Sequence, residues 1–75
     1  MIGTYIIRDK ASGNFWTGTA WHPQYADAKM FSQAEDAIAV AKGLQADFTG
    51  PIEVLRGYEY YENVTSPPVW SSIGD

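Results

Sequence analysis

The chain has 75 residues, no cysteine and a formal net charge of −4. This length predicts a single domain, and the lack of cysteine excludes disulfide bonds and thiolate metal ligands. The acidic balance disfavours duplex nucleic acid as a partner, because affinity for a duplex comes largely from neutralised phosphates. No basic region precedes the first apolar run and no stretch is apolar enough to span a membrane, so we expect a cytoplasmic protein with no membrane partner.

Two short strands are predicted near the start of the chain. Residues 4–8 are rich in aromatic and β-branched side chains, and residues 15–18 form a second short run of the same kind. The intervening residues 9–14 have turn composition, so the two runs are expected to form a hairpin. Residues 19–27 show no clean period and are interpreted as a loop, with room for a third strand over residues 19–22.

One helix is predicted over residues 32–42. Ser32 and Glu35 have the spacing of a capping box, in which each side chain accepts a hydrogen bond from the backbone N–H of the other residue. Gly43 is expected to follow the helix as its terminating residue, with Lys42 at the negative end of the helix dipole. The apolar residues recur at helical spacing and form a stripe that can pack closely on a sheet: Ala34, Ala37, Ile38, Ala41 and Leu44.

The longest strand candidate covers residues 52–62, with its even-numbered positions towards the core and a bulge or bend at Gly57. Pro67 and Pro68 then indicate an extended exit, after which residues 71–75 are expected to fray. We therefore divide the chain into one α+β domain over residues 1–65 and a Pro-containing C-terminal tail over residues 66–75. The expected fold is an antiparallel sheet of three to four strands with the helix packed on one face, in ββαβ order.

No catalytic, metal or cofactor site is indicated. His22, the single histidine, lies in a segment without a nucleophile elbow, and we interpret it as a loop residue fixed by Pro23. The acidic residues are scattered, so no set of oxygen and nitrogen ligands converges on a metal. The glycines are isolated from one another and read as turn residues, so no phosphate-binding loop is predicted. We expect a protein that is not an enzyme and carries no cofactor.

The order of these segments resembles that of small bacteriophage-encoded proteins of ββαβ layout. The resemblance covers about residues 4–56 and is carried by five segments: Tyr5-Ile6-Ile7-Arg8, Phe15-Trp16-Thr17-Gly18, Trp21, Ala28-Lys29-Met30-Phe31-Ser32 with Ala34-Glu35-Asp36-Ala37, and Ile52-Glu53-Val54-Leu55. Proteins of this kind include accessory and host-takeover factors, among them anti-CRISPR and other anti-defence inhibitors. The resemblance therefore implies action on a bacterial host protein in the host cytoplasm, and it implies no site residues.

A contact surface is predicted from the surplus of aromatic side chains. One helix covers one face of a sheet, so the opposite face is expected to be open and to carry some of Trp16, Leu55, Glu59 and Tyr61. Tyrosine and tryptophan with interspersed acids are typical of protein interfaces. We predict that a bacterial host protein is contacted by Trp16, Trp21, Glu59, Tyr61, Glu62 and Trp70. Trp70 could instead fold back onto the sheet or dock on a second subunit, and a homodimer through the open face or an edge strand is compatible with both arrangements.

Two alternatives remain open from the sequence. The first is an oligomeric protein that sequesters a nucleotide or another small ligand in a pocket between subunits, lined by Arg8, Arg56 and Tyr58. The second is a structural accessory phage subunit, which would self-associate without a host partner.

Overall fold

A computed structural model describes residues 4–48, 50–57 and 67–72. Within these ranges one α-helix accompanies a single antiparallel sheet of five strands in the order β3-β2-β1-β4-β5. The elements are β1 Tyr5–Asp9, β2 Phe15–Trp16, β3 Trp21–His22, a 3-10 helix Tyr25–Asp27, α1 Ala34–Gln45, β4 Ile52–Arg56 and β5 Trp70–Ser71. The α+β class and the antiparallel sheet are confirmed, whereas the predicted count of three to four strands is wrong.

The fifth strand comes from the segment that was predicted to be a tail. Trp70 pairs with Val54 and Ser71 with Glu53, which adds β5 to the outer side of β4. The backbone N–H of Val69 donates to the Val54 carbonyl at 2.8 Å, and that of Ser72 donates to the Ile52 carbonyl at 2.9 Å. Residues 71 and 72 therefore belong to the sheet instead of fraying, and residues 73–75 lie outside the described ranges.

The β1–β2 hairpin forms as predicted, and its turn is built around Asp9. The Asp9 carboxylate accepts hydrogen bonds from the Ala11 N–H at 3.0 Å and from the Ser12 hydroxyl at 2.7 Å. Gly13 then adopts a φ of +82°, a left-handed conformation that glycine tolerates at little cost. The turn brings Phe15 opposite Arg8, and this register decides which side chains of β2 face the helix.

Helix α1 begins one residue later than the capping box requires. Its N-cap is Gln33, which has extended dihedrals and whose side chain makes no capping hydrogen bond. The predicted capping box of Ser32 and Glu35 is therefore wrong. The cause lies upstream, because Phe31 still pairs with Tyr5 at the end of β1. Two backbone hydrogen bonds of 2.8 and 2.9 Å hold this pair, and the chain needs the next two residues to turn away from the sheet.

The end of α1 also differs from the prediction. Gly43 has helical geometry inside α1, which continues to Gln45, so it is not the terminating residue. Lys42 does lie in the last turn, as expected. Four of the five stripe residues are confirmed, since Ala37 and Ala41 are fully buried and Ile38 and Leu44 pack against the same core, whereas Ala34 is only partly buried.

Two separate cores flank the sheet. On the side of α1, here called the helix face, the buried residues are Ile7, Phe31, Ala37, Ala41, Ile52 and Val54. This confirms that Ile52 and Val54, at even positions, point towards the core. On the opposite side, here called the second face, Ile6, Phe15 and Ala28 form another buried cluster, with Tyr25 and Leu55 packed against it. We expected this face to be open, and that expectation is wrong, because it carries a core of its own.

The cover of this second core is the short segment around the 3-10 helix. The Tyr25 hydroxyl donates to the Gly57 carbonyl at 2.8 Å, which fastens this segment across the end of β4. Gly57 permits the approach, because a Cβ there would lie 3.2 Å from the Tyr25 hydroxyl oxygen and 2.6 Å from Thr4 Oγ1. The strand predicted over residues 52–62 ends at Arg56 in the described part, and residues 58–62 lie outside it.

Candidate functional site: an aromatic row at one sheet edge

Three aromatic rings lie side by side on the helix face near the β3 edge. The ring centroids of Trp16 and Trp21 are 5.3 Å apart with their planes inclined at 60°. Those of Trp21 and Phe48 are 5.1 Å apart with their planes inclined at only 31°. All three rings are partly buried and pack against the helix-face core. We call Trp16, Trp21 and Phe48 the aromatic row.

The β2–β3 turn positions the two tryptophans. Trp16 pairs directly with Trp21 across the hairpin, so the alternation of side chains along the strands puts both indoles on the same face. Thr17 closes the turn, with its Oγ1 accepting the Ala20 N–H at 3.1 Å and its N–H donating to the Ala20 carbonyl at 2.9 Å. Gly18 supplies the positive φ of +109° that this turn requires.

Phe48 joins the row from the loop that follows α1. Its N–H donates to the Leu44 carbonyl at 3.0 Å, which continues the last turn of α1. The Gln45 side-chain amide donates to the carbonyls of both Phe48 and Gly50, which fixes the loop after the helix. Phe48 was not predicted as a contact residue, because a lone aromatic in a loop of turn composition carries no periodic signal.

The tryptophans predicted as contacts are thus divided between two places. Trp16 and Trp21 come together, although on the helix face and not on the face where Trp16 was expected. Phe15 pairs with Arg8 and lies in the second-face core. Side chains alternate along a strand, so Trp16 points to the helix face. Trp70 also packs on the helix face, but in β5, and β1 and β4 separate it from β2 by roughly 14 Å at the usual strand spacing.

The tryptophan indole groups retain an unused donor. In the described part of the chain, no Nε1–H of Trp16, Trp21 or Trp70 makes a hydrogen bond, and none of these nitrogens is sealed from solvent. A buried tryptophan normally satisfies this donor within the protein. Here each ring packs one part against the core and leaves its polar edge to the solvent.

The arginines predicted to line a small-ligand pocket do not meet within one chain. Arg8 lies on the second face, where its Nη1 is 3.0 Å from the Glu53 carboxylate, whose side chain is only 8% exposed. Arg56 pairs with Tyr5 and therefore lies on the helix face, opposite to Arg8. It donates to the Pro67 carbonyl at 3.2 Å. Tyr58 lies outside the described residues. A pocket using both arginines would therefore need two subunits.

His22 lies in β3, where the sequence left room for a third strand, and it faces Asp27. Its Nδ1 is 3.3 Å from the Asp27 carboxylate, with about half of each side chain exposed. No serine or threonine hydroxyl of the described part hydrogen-bonds to this ring. In the same part of the chain, no three histidine, aspartate or glutamate side chains converge on a metal position.

The remaining predicted contact residues, Glu59, Tyr61 and Glu62, lie outside the described ranges, so their role stays a prediction. The chain matches no protein-family model, no curated protein and no solved structure. Among the described residues, no helix has the length and apolar character that crossing a membrane requires.

Proposed function

We propose that this chain is a non-catalytic binding protein that occludes a surface of a bacterial host protein, and that the aromatic row is its main contact. The observation that carries the proposal is the row itself. Three contiguous rings lie at a sheet edge, half-buried, with the indole donors of Trp16 and Trp21 available to another molecule. Tryptophan in such a position is the side chain most enriched among residues that dominate binding energy.

The way the row is held supports a contact role. Each ring is fixed by the core on one side, so little conformational freedom is lost when a partner covers the other side. Its neighbours in the β2–β3 turn, Gly18, Thr19 and Ala20, are small and exposed, so the turn adds little bulk beside Trp21. Apolar exposure elsewhere is limited, since Met30, at 44%, is the single large apolar side chain of the described part that is exposed.

The class of partner rests on the resemblance to small phage-encoded proteins. Such proteins act on host factors, and a defence-system component in the host cytoplasm is the target class that this proposal names. The acidic residues Glu59 and Glu62 and the aromatic Tyr61 complete the contact surface in this hypothesis. Occlusion, and not chemistry, is the mode of action, because binding alone blocks a surface that another molecule must reach.

Capture from bacterial lysate with two tryptophan variants tests the proposal. Wild-type protein, Trp21→Ala and Trp70→Ala serve as baits, and retained proteins are quantified by mass spectrometry. We expect at least one bacterial protein to be retained by wild-type and Trp70→Ala baits and to fall by about tenfold or more with Trp21→Ala. Thermal melting of each bait verifies that it is folded. Equal retention by all three folded baits would contradict the assignment of the aromatic row.

A further inference from the structure

The rings of the aromatic row are partly exposed, so part of their surface can contact a partner. Tryptophan is the best acceptor of cation–π interactions among the aromatic side chains, and the row has two of them beside a phenylalanine. Because the rings contact one another at about 5 Å, no cavity separates them, and a ligand must lie on the row instead of between its members.

The row has an exposed acid next to Phe48 and a neighbouring cation, Lys29, which is bound to the Trp16 carbonyl through its backbone N–H. Asp47 directly precedes Phe48, is exposed, and makes no side-chain hydrogen bond or ion pair with any residue in the described part of the chain. The His22–Asp27 pair does not add to this charge, because His22 pairs with Phe15 and lies on the second face. The whole chain carries nine acidic residues against five basic ones, so long-range attraction also favours a cationic partner.

The same chemistry already operates within this chain. Lys29 lies with its Nζ 5.5 Å from the centroid of the Phe31 ring, within the range of a cation–π contact. Its backbone N–H donates to the Trp16 carbonyl at 2.8 Å, so this contact is built next to the row. A lysine of the chain thus covers Phe31, and no cation of the described part is in cation–π contact with Trp16, Trp21 or Phe48.

We propose that the aromatic row binds an arginine or lysine side chain on a basic segment of the partner protein, with Asp47 as the counter-charge. This inference rests on the proposed function and names the chemistry of the partner surface. The guanidinium or ammonium group lies over the row, and the neighbouring backbone carbonyls of the segment accept from the free indole N–H groups. Negative charge at Asp47 selects a cationic side chain over a neutral one of the same shape.

The three tryptophan indole signals in a nitrogen–proton correlation spectrum provide the readout. The probe is a tri-arginine peptide with blocked ends, and the matched control is the tri-citrulline peptide, which has nearly the same shape and no charge. We expect tri-arginine to shift the Trp16 and Trp21 signals along a saturable curve while the Trp70 signal stays in place. Tri-citrulline should bind at least about threefold more weakly, since it lacks the cation.

Two variants assign the effect to named groups. Asp47→Asn should weaken tri-arginine binding by about two- to fivefold, the size expected for an exposed ion pair. Glu35→Gln is its control, because Glu35 is an exposed acid in the first turn of α1, roughly 15 Å along the helix axis from Gln45 at the other end. Phe48→Leu keeps the apolar volume but removes a π face, and should weaken binding by about twofold or more.

Several results would overturn the inference: equal shifts with the citrulline peptide, equal shifts of the Trp70 signal, or equal weakening by Asp47→Asn and Glu35→Gln. Its failure differs from failure of the proposed function. If Trp21→Ala loses the captured protein while tri-arginine moves no indole signal, the contact surface stands and the cationic partner is wrong. If tri-arginine binds the row but Trp21→Ala captures normally, the cation chemistry stands and the use of the row in capture is wrong.

Discussion

The two edges of the sheet carry similar residues but are held in different ways. Each edge is a two-residue strand with one tryptophan on the helix face, Trp21 in β3 and Trp70 in β5. The β3 edge is attached through a tight local hairpin to β2. The β5 edge follows β4 after a longer connection and is attached to β4. The comparison teaches that a strand of two residues persists only where its neighbours fix it, by a turn in one case and by long-range hydrogen bonds in the other.

The loss of the Phe15 side chain should destabilise the β3 edge most. Phe15 is 2% exposed and anchors the β2–β3 hairpin to the second core. Phe15→Ala should lower the free energy of unfolding by about 3–5 kcal/mol, a large share of the roughly 5–10 kcal/mol expected for the domain. Urea denaturation followed by circular dichroism measures this loss. A loss below about 1 kcal/mol would show that the second face has no true core.

The β5 edge is best tested at Ser72. Its Oγ accepts the Ile52 N–H at 2.9 Å, and Ile52 is fully buried. Ser72→Ala leaves that backbone donor without its acceptor, so the free energy of unfolding should fall by about 1–3 kcal/mol. Ser72→Thr keeps the hydroxyl and serves as the control in the same denaturation experiment. If both variants were as stable as wild type, β5 would not be held by this bond.

Gly43 in α1 lies away from both edges of the sheet. Gly43 is exposed in the helical part of α1, and a Cβ there meets nothing within 4 Å. Gly43→Ala should therefore raise the free energy of unfolding by about 0.5–1 kcal/mol, because alanine loses less backbone freedom in a helix. The melting temperature should rise accordingly, with capture of the partner unchanged. A fall in stability would mean that α1 ends before Gly43, as the sequence first suggested.

The smallest effect is expected in the turn of the β3 hairpin. Thr17 Oγ1 accepts the N–H groups of Ala20 at 3.1 Å and Thr19 at 3.3 Å, all in an exposed turn. Thr17→Val keeps the shape and removes these bonds, and it should cost about 0.5 kcal/mol because water replaces them readily. Near-ultraviolet circular dichroism of the coupled indoles should change more than the stability does. An unaltered indole spectrum would show that the turn does not set the geometry of Trp16 and Trp21.

The features predicted correctly from the sequence are those in which apolar residues recur at a regular spacing. Alternation identified Ile52 and Val54 as inward-facing, and helical spacing identified Ala37 and Ala41. The wrong predictions concern features that depend on partners distant in the chain. The start of α1 depends on Phe31 pairing with Tyr5, and β5 depends on Val54, which no local pattern can reveal. Phe48 joins the candidate site through the loop geometry set by Gln45 and not through any motif.

The register of the central strands has a consequence for how the protein folds. The paired residues of β1 and β4 are far apart in the sequence. Asp9 and Ile52 are 43 positions apart, and Tyr5 and Arg56 are 51 positions apart. Closing so long a loop is slower than forming a helix, which takes about a microsecond or less, so we expect the β1–β4 pairing to limit the folding rate. The β2–β3 hairpin is local and peripheral to that pair. We therefore expect its amides to exchange hydrogen through partial opening, well before the whole domain unfolds.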